Sequence, residues 1–556
     1  MADTAPAPMA VEGVADAIDA GEPVATIGAG DAARALWGVA RHGRAFARRG
    51  GRLGRESARI LAGRSDVAPA KGDWRFQDEA WCGNPGYRRL MQLYLAWAES
   101  LDGLVDDAEL DWRNTFRARF CVDMLTSAAA PTNTLAGNPA ALKRVFETGG
   151  LSLARGVRSA VKDLKHNRGM PSTVDRSAFE VGVNLAATPG AVVHRDEVFE
   201  LLQYTPTTPE VRRRPVLMVT PQIGKYYFMD LAPRRSFVEH AVAEGLSFFV
   251  ISWRNPGPEQ RDWNLDTYAE AVLRAIDVVR EVAGSEDVNL LALCAGGILT
   301  SMVLNHLAAE GDESVRSASF GVTLLDFSVP APIGMFGIAP LVSLARERSS
   351  RRGVLDGATL GAVFSWLRPN DLVWNYWVNN YLLGKDPPRF DILAWNDDST
   401  NLPGELHRQF LDLFQDNVLA QPGALEVLGT PVDLGRVTVE TYVTGATTDH
   451  ITPWKGCYRT TQLMSGPSTF VLSNAGHIAS LINPPGNPKA HYFAGPEPVA
   501  DADAWLAAAE RRPGTWWEHW AGWIGERSGE MRRAPSRLGS RRHPAQGPAP
   551  GTYVHG

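Results

Sequence analysis

Residues 288–304, VNLLALCAGGILTSMVL, decide how the rest of the chain is read. Val288, Leu290, Leu291 and Leu293 form a short apolar run that suits a buried strand. Gly296 and Gly297 interrupt it, and Ile298, Leu299, Met302 and Val303 resume at helical spacing. The pattern predicts strand, tight turn and helix, with Cys294 at the turn. A nucleophile elbow has this anatomy, because small residues around the nucleophile allow a strained turn to lift its side chain above a sheet. Ala292, Ala295, Gly296 and Gly297 are the small residues here. The competing reading is a small buried hydrophobe at a strand end, so partners elsewhere must decide.

A chain of 556 residues exceeds one hydrophobic core, and two or three structural units are expected. With 44% hydrophobic and 21% charged residues the composition is that of an ordinary globular protein, and a net charge of -6 gives no electrostatic argument for nucleic acid or an anionic membrane. Cys82, Cys121, Cys294 and Cys457 are scattered without a CxxC, which indicates neither a disulfide framework nor a metal site and fits a reducing cytoplasm. No apolar run approaches the roughly 18 residues of a membrane span, and no basic start with an apolar core marks an export signal.

In chain order, residues 1–65 are rich in Ala, Gly and Arg and are expected to be a poorly ordered leader. Within them Gly28, Gly30 and Ala33 imitate a GxGxxA dinucleotide fingerprint. The preceding segment makes a poor strand and no acidic ribose ligand follows, so this is chance composition. Residues 66–195 read as a helical N-terminal domain, with Tyr87, Leu90, Met91, Leu93, Tyr94 and Trp97, and then Phe116, Phe120, Val122 and Leu125, recurring at helical spacing. From 196 strands and helices alternate: strands at 215–219, 246–253, 288–293, 321–327, 437–443 and 468–472, and an amphipathic helix at 265–282. This predicts an α/β fold, a mainly parallel sheet with helices on both faces, over 196–327 and 430–527. The intervening 328–429, dense in aromatics and Asn, is expected to be a cap inserted over the active site. Trp516, Trp517, Trp520 and Trp523 would line one helix face and pack on the sheet, and the Pro/Gly-rich tail 528–556 is expected to be extended.

An α/β-hydrolase carries nucleophile, acid and histidine in that chain order, the last two on loops after late strands. Asp449 follows one expected strand and His477 the next. His477 could take the thiol proton to give a thiolate-imidazolium pair. Oxyanion donors would be the backbone N-H of Ala295 and that of Ile223 or Gly224, in the loop after the strand at 215–219.

These residues resemble a known family. LCAGG around Cys294, PQIGKYYFMDL from Pro221, SWRNP from Ser252, RPNDLVWNYWVNNYLLG from Arg368, DHITPW from Asp449 and SNAGHI from Ser473 are similar to polyhydroxyalkanoate synthases, most of all the class II, medium-chain type. The resemblance runs from about residue 138 to the final APGTYVH. It implies an α/β-hydrolase fold and polymerisation of (R)-3-hydroxyacyl-CoA into polyester with release of CoA. Carried over, Cys294 holds the acyl or growing chain as a thioester, His477 is its general base, Asp449 helps activate the substrate 3-hydroxyl directly or through the histidine, and His450 has a supporting role. The resemblance also implies a homodimer, a cap that opens for substrate, and residence on cytoplasmic polymer granules with phasin-type proteins. No cofactor is implied, since acyl-CoA carries its own activation. Two departures stand out: Ala292 replaces the first Gly of the family's G-x-C-x-G-G box, and Gly224 stands where the family usually has Asn. The alternatives are a thioesterase or polyester depolymerase of the same fold, and a non-catalytic granule scaffold.

Overall fold

The computed structural model describes residues 43–330, 347 and 349–556. The GxGxxA stretch at 28–33, most of the expected leader and residues 331–346 of the expected cap lie outside them. The described residues divide into two compact units, 43–175 with 359–390, and 176–358 with 391–556.

The first unit is helical: α1 (Gly43–Leu61), α2 (Pro85–Asp107), α3 (Trp112–Ala128), α4 (Pro139–Glu147) and α5 (Leu151–His166). Asn84 caps α2 by accepting from the N-H groups of Gly86 and Tyr87, with Pro85 at the first helical position, where a missing N-H costs nothing. Phe76, Trp81, Met91, Tyr94 and Ala130 make its core. The leader boundary at 65 moves: α1 is ordered helix because its Arg49 guanidinium pairs with Asp107 at the end of α2, at 2.8 Å.

The expected cap is also redrawn. Residues 359–390 pack within this helical unit as the greater part of a helix, Gly357–Trp366, and two π-helical turns, Asn370–Trp374 and Trp377–Leu382. The Trp377 indole donates to the Asn133 carbonyl at 3.0 Å, the Tyr381 hydroxyl to the Asp163 carboxylate at 2.8 Å, and the Asn380 amide to the Ser172 carbonyl at 2.8 Å. The aromatics and asparagines of this segment therefore satisfy groups of the helical unit.

The second unit is built on one sheet of 11 strands. In chain order these are β1 (Gly190–Arg195), β2 (Phe199–Tyr204), β3 (Val216–Val219), β4 (Phe248–Trp253), β5 (Val288–Leu293), β6 (Val315–Gly321), β7 (Glu440–Ala446), β8 (Ser468–Ser473), β9 (His491–Ala494), β10 (Glu510–Pro513) and β11 (Gly547–Pro548). Their spatial order is β10-β9-β8-β7-β6-β5-β3-β4-β2-β1-β11. The six strands β4-β3-β5-β6-β7-β8 are parallel, and antiparallel strands extend both edges. Every residue of β3, β4 and β5 is buried, as in a sheet covered on both faces. Helix α6 (Leu265–Ala283) shows the expected amphipathic pattern, whereas α7 (Ala295–Glu310) is apolar on all sides and almost wholly buried.

Three sequence boundaries change in this unit. The strand expected at 321–327 lies earlier, as β6: its Ser317 and Ser319 look exposed but are fully buried, bonded to Asn289 and Trp520. The helical domain does not extend to 195, because β1 already belongs to the sheet. The tail is not free: β11 pairs with β1, and the N-H groups of Thr552 and Tyr553 donate to the buried Glu200 carboxylate at 2.8 and 2.9 Å.

Candidate active site

Parallel strands end on the same side, and their C-terminal loops converge there. Cys294 follows β5, Asp449 follows β7 by three residues and His477 follows β8 by four. The first loop is the tightest. Cys294 has φ 48° and ψ -120°, a backbone conformation that non-glycine residues rarely adopt, and its N-H is held by the Gly321 carbonyl at 2.9 Å. The turn closes this sharply because Gly296 and Gly297 lack side chains. A Cβ at Gly296 would sit 2.4 Å from the Val219 carbonyl oxygen, and one at Gly297 would meet the Thr323 side chain at 2.2 Å. The N-terminus of α7 thus abuts the end of β3, which brings the 220–224 loop beside Cys294. Ala295 is the first residue of α7, and helix N-termini present amides that have no acceptor within the helix.

Ile223 and Gly224 are half-buried in that loop. A Cβ at Gly224 would come 3.1 Å from the Trp395 ring, whose indole N-H donates to the Lys225 carbonyl at 2.7 Å. The asparagine usual in the resembled family would crowd this ring, so glycine here and Trp395 above it go together.

The histidine side is assembled from hydrogen bonds. His477 opens a short helix, His477–Leu481, and its Nδ1 lies 2.7 Å from Asp449 Oδ2. Asp449 is gripped from its own loop: Oδ1 accepts from the N-H groups of Ile451 and Thr452 at 2.8 and 2.9 Å, and Oδ2 accepts from the Thr452 hydroxyl at 2.7 Å. Burial raises the carboxyl pKa, yet the His477 charge and these donors outweigh it and hold Asp449 below the usual value. For His477, burial opposes the charged form, but the hydrogen-bonded Asp449 carboxylate, and beyond it the Cys294 sulfur, push it up to about 10. The arrangement can hold a proton on a buried imidazole.

Sequence reasoning missed several supports of this arrangement. Thr452 touches both Asp449 Oδ2 and His477 Nδ1, the latter at 3.0 Å; its signal is only its place within DHITPW. Helix α8 (Trp516–Arg527) seats the histidine helix from behind, the Trp516 and Trp517 indoles donating to the carbonyls of Ser480 and Leu481 at 2.9 and 2.8 Å. His450 is half-buried in the turn beside Asp449. The second nearby thiol, Cys457, is fully buried with its sulfur 3.4 Å from the Thr452 carbonyl, and burial raises its pKa well above the usual value. Burial keeps this thiol protonated and out of reach, whereas Cys294 is half-buried. Among the described residues no group of three or more His, Cys, Asp or Glu could hold a metal, and no helix is long and apolar enough to cross a membrane.

Residues 72–241 match the family model described as the N-terminus of poly-beta-hydroxybutyrate polymerase (PhaC), and residues 227–484 match that of the alpha/beta hydrolase fold. The chain is 47% identical over 503 residues to poly(3-hydroxyalkanoate) polymerase 1 of Ectopseudomonas oleovorans, covering 90% of both chains. Polymerase 2 of that organism is equally similar, at 47% and 90% of both chains. The poly(3-hydroxyalkanoate) polymerase subunit PhaC of Cupriavidus necator is 42% identical, with 89% of this chain and 85% of that one covered.

Proposed function

The chain belongs to the poly(3-hydroxyalkanoate) polymerase family, and on that premise we propose that it polymerises (R)-3-hydroxyacyl-CoA into polyhydroxyalkanoate with release of CoA, through a thioester on Cys294. The observation that carries the reading is the buried Asp449-His477 pair on loops that follow the same parallel sheet as the strained Cys294 turn.

Asp449 occupies Nδ1, which leaves Nε2 for the thiol. His477 holds the thiol proton as imidazolium, and the thiolate of this pair attacks the thioester carbonyl. As the new carbon-sulfur bond forms and the old one breaks, CoA leaves as a thiol with the proton returned from His477. The developing oxyanion is received by the N-H of Ala295 and that of Ile223 or Gly224. The 3-hydroxyl of a second hydroxyacyl-CoA then attacks the Cys294 thioester, giving up its proton to His477 under the pull of Asp449. An ester one unit longer forms on CoA, and the freed thiolate takes that chain back and releases CoA. Water takes no part, and His450 supports the Asp449 turn.

No cofactor is assigned, because the thioester supplies the driving force. The same reading makes the enzyme a homodimer on the surface of cytoplasmic granules, beside phasin-type proteins. The test is CoA release from purified protein with (R)-3-hydroxybutyryl-CoA and (R)-3-hydroxyoctanoyl-CoA, with products sized and Cys294→Ala run in parallel. Polymer that disappears in the variant is the expected result, and the faster substrate gives the chain-length preference. Free hydroxy acid in place of polymer would make the protein a thioesterase, and CoA release that persists in the variant would remove Cys294 from the reaction.

A further inference from the structure

Gln222 lies in the loop after β3 and is unused by the reaction above. It is 3% exposed, and both the oxygen and the nitrogen of its side chain are buried without a hydrogen-bond partner. Among the described residues no other side chain has two such atoms. Polar groups on either side of it in the chain and on the adjoining strand have partners. The Thr220 hydroxyl donates to the Ile251 carbonyl at 2.9 Å, the Trp253 indole to the Thr220 carbonyl at 2.8 Å, and the Lys225 ammonium to the Val554 carbonyl at 2.7 Å while pairing with Asp398 at 2.9 Å.

A primary amide buried in this way costs stability that a methionine of similar length would not. Such a group calls for a partner that the protein itself does not supply. Gln222 directly precedes Ile223 and Gly224, one of which donates to the thioester carbonyl in the proposed reaction. A glutamine side chain one residue away has the length to reach atoms two or three bonds from that carbonyl. On the acyl side that distance is the 3-hydroxyl, which both donates and accepts and so complements an amide with both functions unpaired.

We infer that Gln222 binds the 3-hydroxyl of the hydroxyacyl group and thereby selects 3-hydroxylated acyl-CoA over the saturated acyl-CoA of equal length. The inference rests on the reading that Cys294 is acylated by CoA thioesters. It makes Gln222 a specificity residue, whose loss is felt only by substrates that carry the hydroxyl.

The experiment follows the first burst of CoA release with (R)-3-hydroxyoctanoyl-CoA and with octanoyl-CoA, in the wild-type chain, Gln222→Met and Cys294→Ala, together with melting temperatures. Wild type should acylate faster with the hydroxylated substrate, by on the order of tenfold or more. Gln222→Met should erase that preference by slowing the hydroxylated substrate alone, and should melt at a higher temperature. A wild type without the preference overturns the inference, and needs no variant to do so. It is equally overturned if Gln222→Met slows both substrates alike, keeps the preference, or melts lower or fails to fold, any of which would show that the amide serves the protein itself. Burst release that survives in Cys294→Ala would instead sink the underlying acylation, so the two failures are told apart.

Discussion

The two sides of the site are held by different physics. Around Cys294 the constraint is volume: an unusual backbone conformation and two glycines pressed against Val219 and Thr323. Around His477 it is polarity: a carboxylate with three donors of its own, and a helix whose last carbonyls are tied to indoles. The sulfur side should therefore fail when atoms are added, and the histidine side when partners are removed.

The sharpest break in that contrast is Cys294→Ala, expected to abolish CoA release by at least about 10^3-fold while leaving the melting temperature nearly unchanged. Asp449→Asn keeps the shape but removes the charge that holds the imidazole, and kcat should fall by about 10^2 to 10^4-fold. Gly296→Ala adds one methyl against backbone on the other side. We expect α7 to withdraw from β3, with a loss of about 1–3 kcal/mol in denaturant midpoints and roughly a hundredfold in kcat/KM. If Gly296→Ala were silent while Asp449→Asn was not, the volume argument would be wrong.

A pH titration of stability reads the polar side alone. His477 is raised above its unfolded value of about 6.5, so the stability from its charged form is complete below that pH and lost as pH climbs towards 10. Asp449 is lowered, so its contribution is complete above about pH 4 and lost as pH falls through its folded value. Unfolding free energy should drop by on the order of a few kcal/mol between pH 6.5 and 10, and Asp449→Asn should flatten the slope. A flat wild-type curve would contradict the charged pair. The smallest effect is expected for Trp516→Phe, which removes one donor to Ser480 and should cost about 1 kcal/mol with a few-fold loss of kcat.

What could be read in advance follows the same division. The strand, turn and helix around Cys294 were legible because their cause is local: four apolar residues, then small ones within three positions. Asp449 and His477 were legible through their order after late strands, since a parallel sheet turns chain order into proximity. Thr452 was not, because threonine in a turn is common and its two partners meet only after folding. β6 was misplaced because its serines are buried by bonds to Asn289 and Trp520, residues that no local window contains. The aromatic stretch at 368–384 carries the same pattern whichever unit it covers, and its partners Asn133 and Asp163 lie more than 200 positions away in sequence.

The split of the insertion between the two units governs how the molecule can be taken apart. The chain passes between the units at 175–176, 358–359 and 390–391, so they are interleaved and not strung end to end. A truncated chain starting at residue 176 would keep Cys294, Asp449 and His477 but would also carry residues 359–390 without the helices they fold against, leaving Trp374, Trp377 and Tyr381 without their seat. No single cut makes either unit a cassette, and recombining this catalytic half with another helical half requires three junctions to match at once.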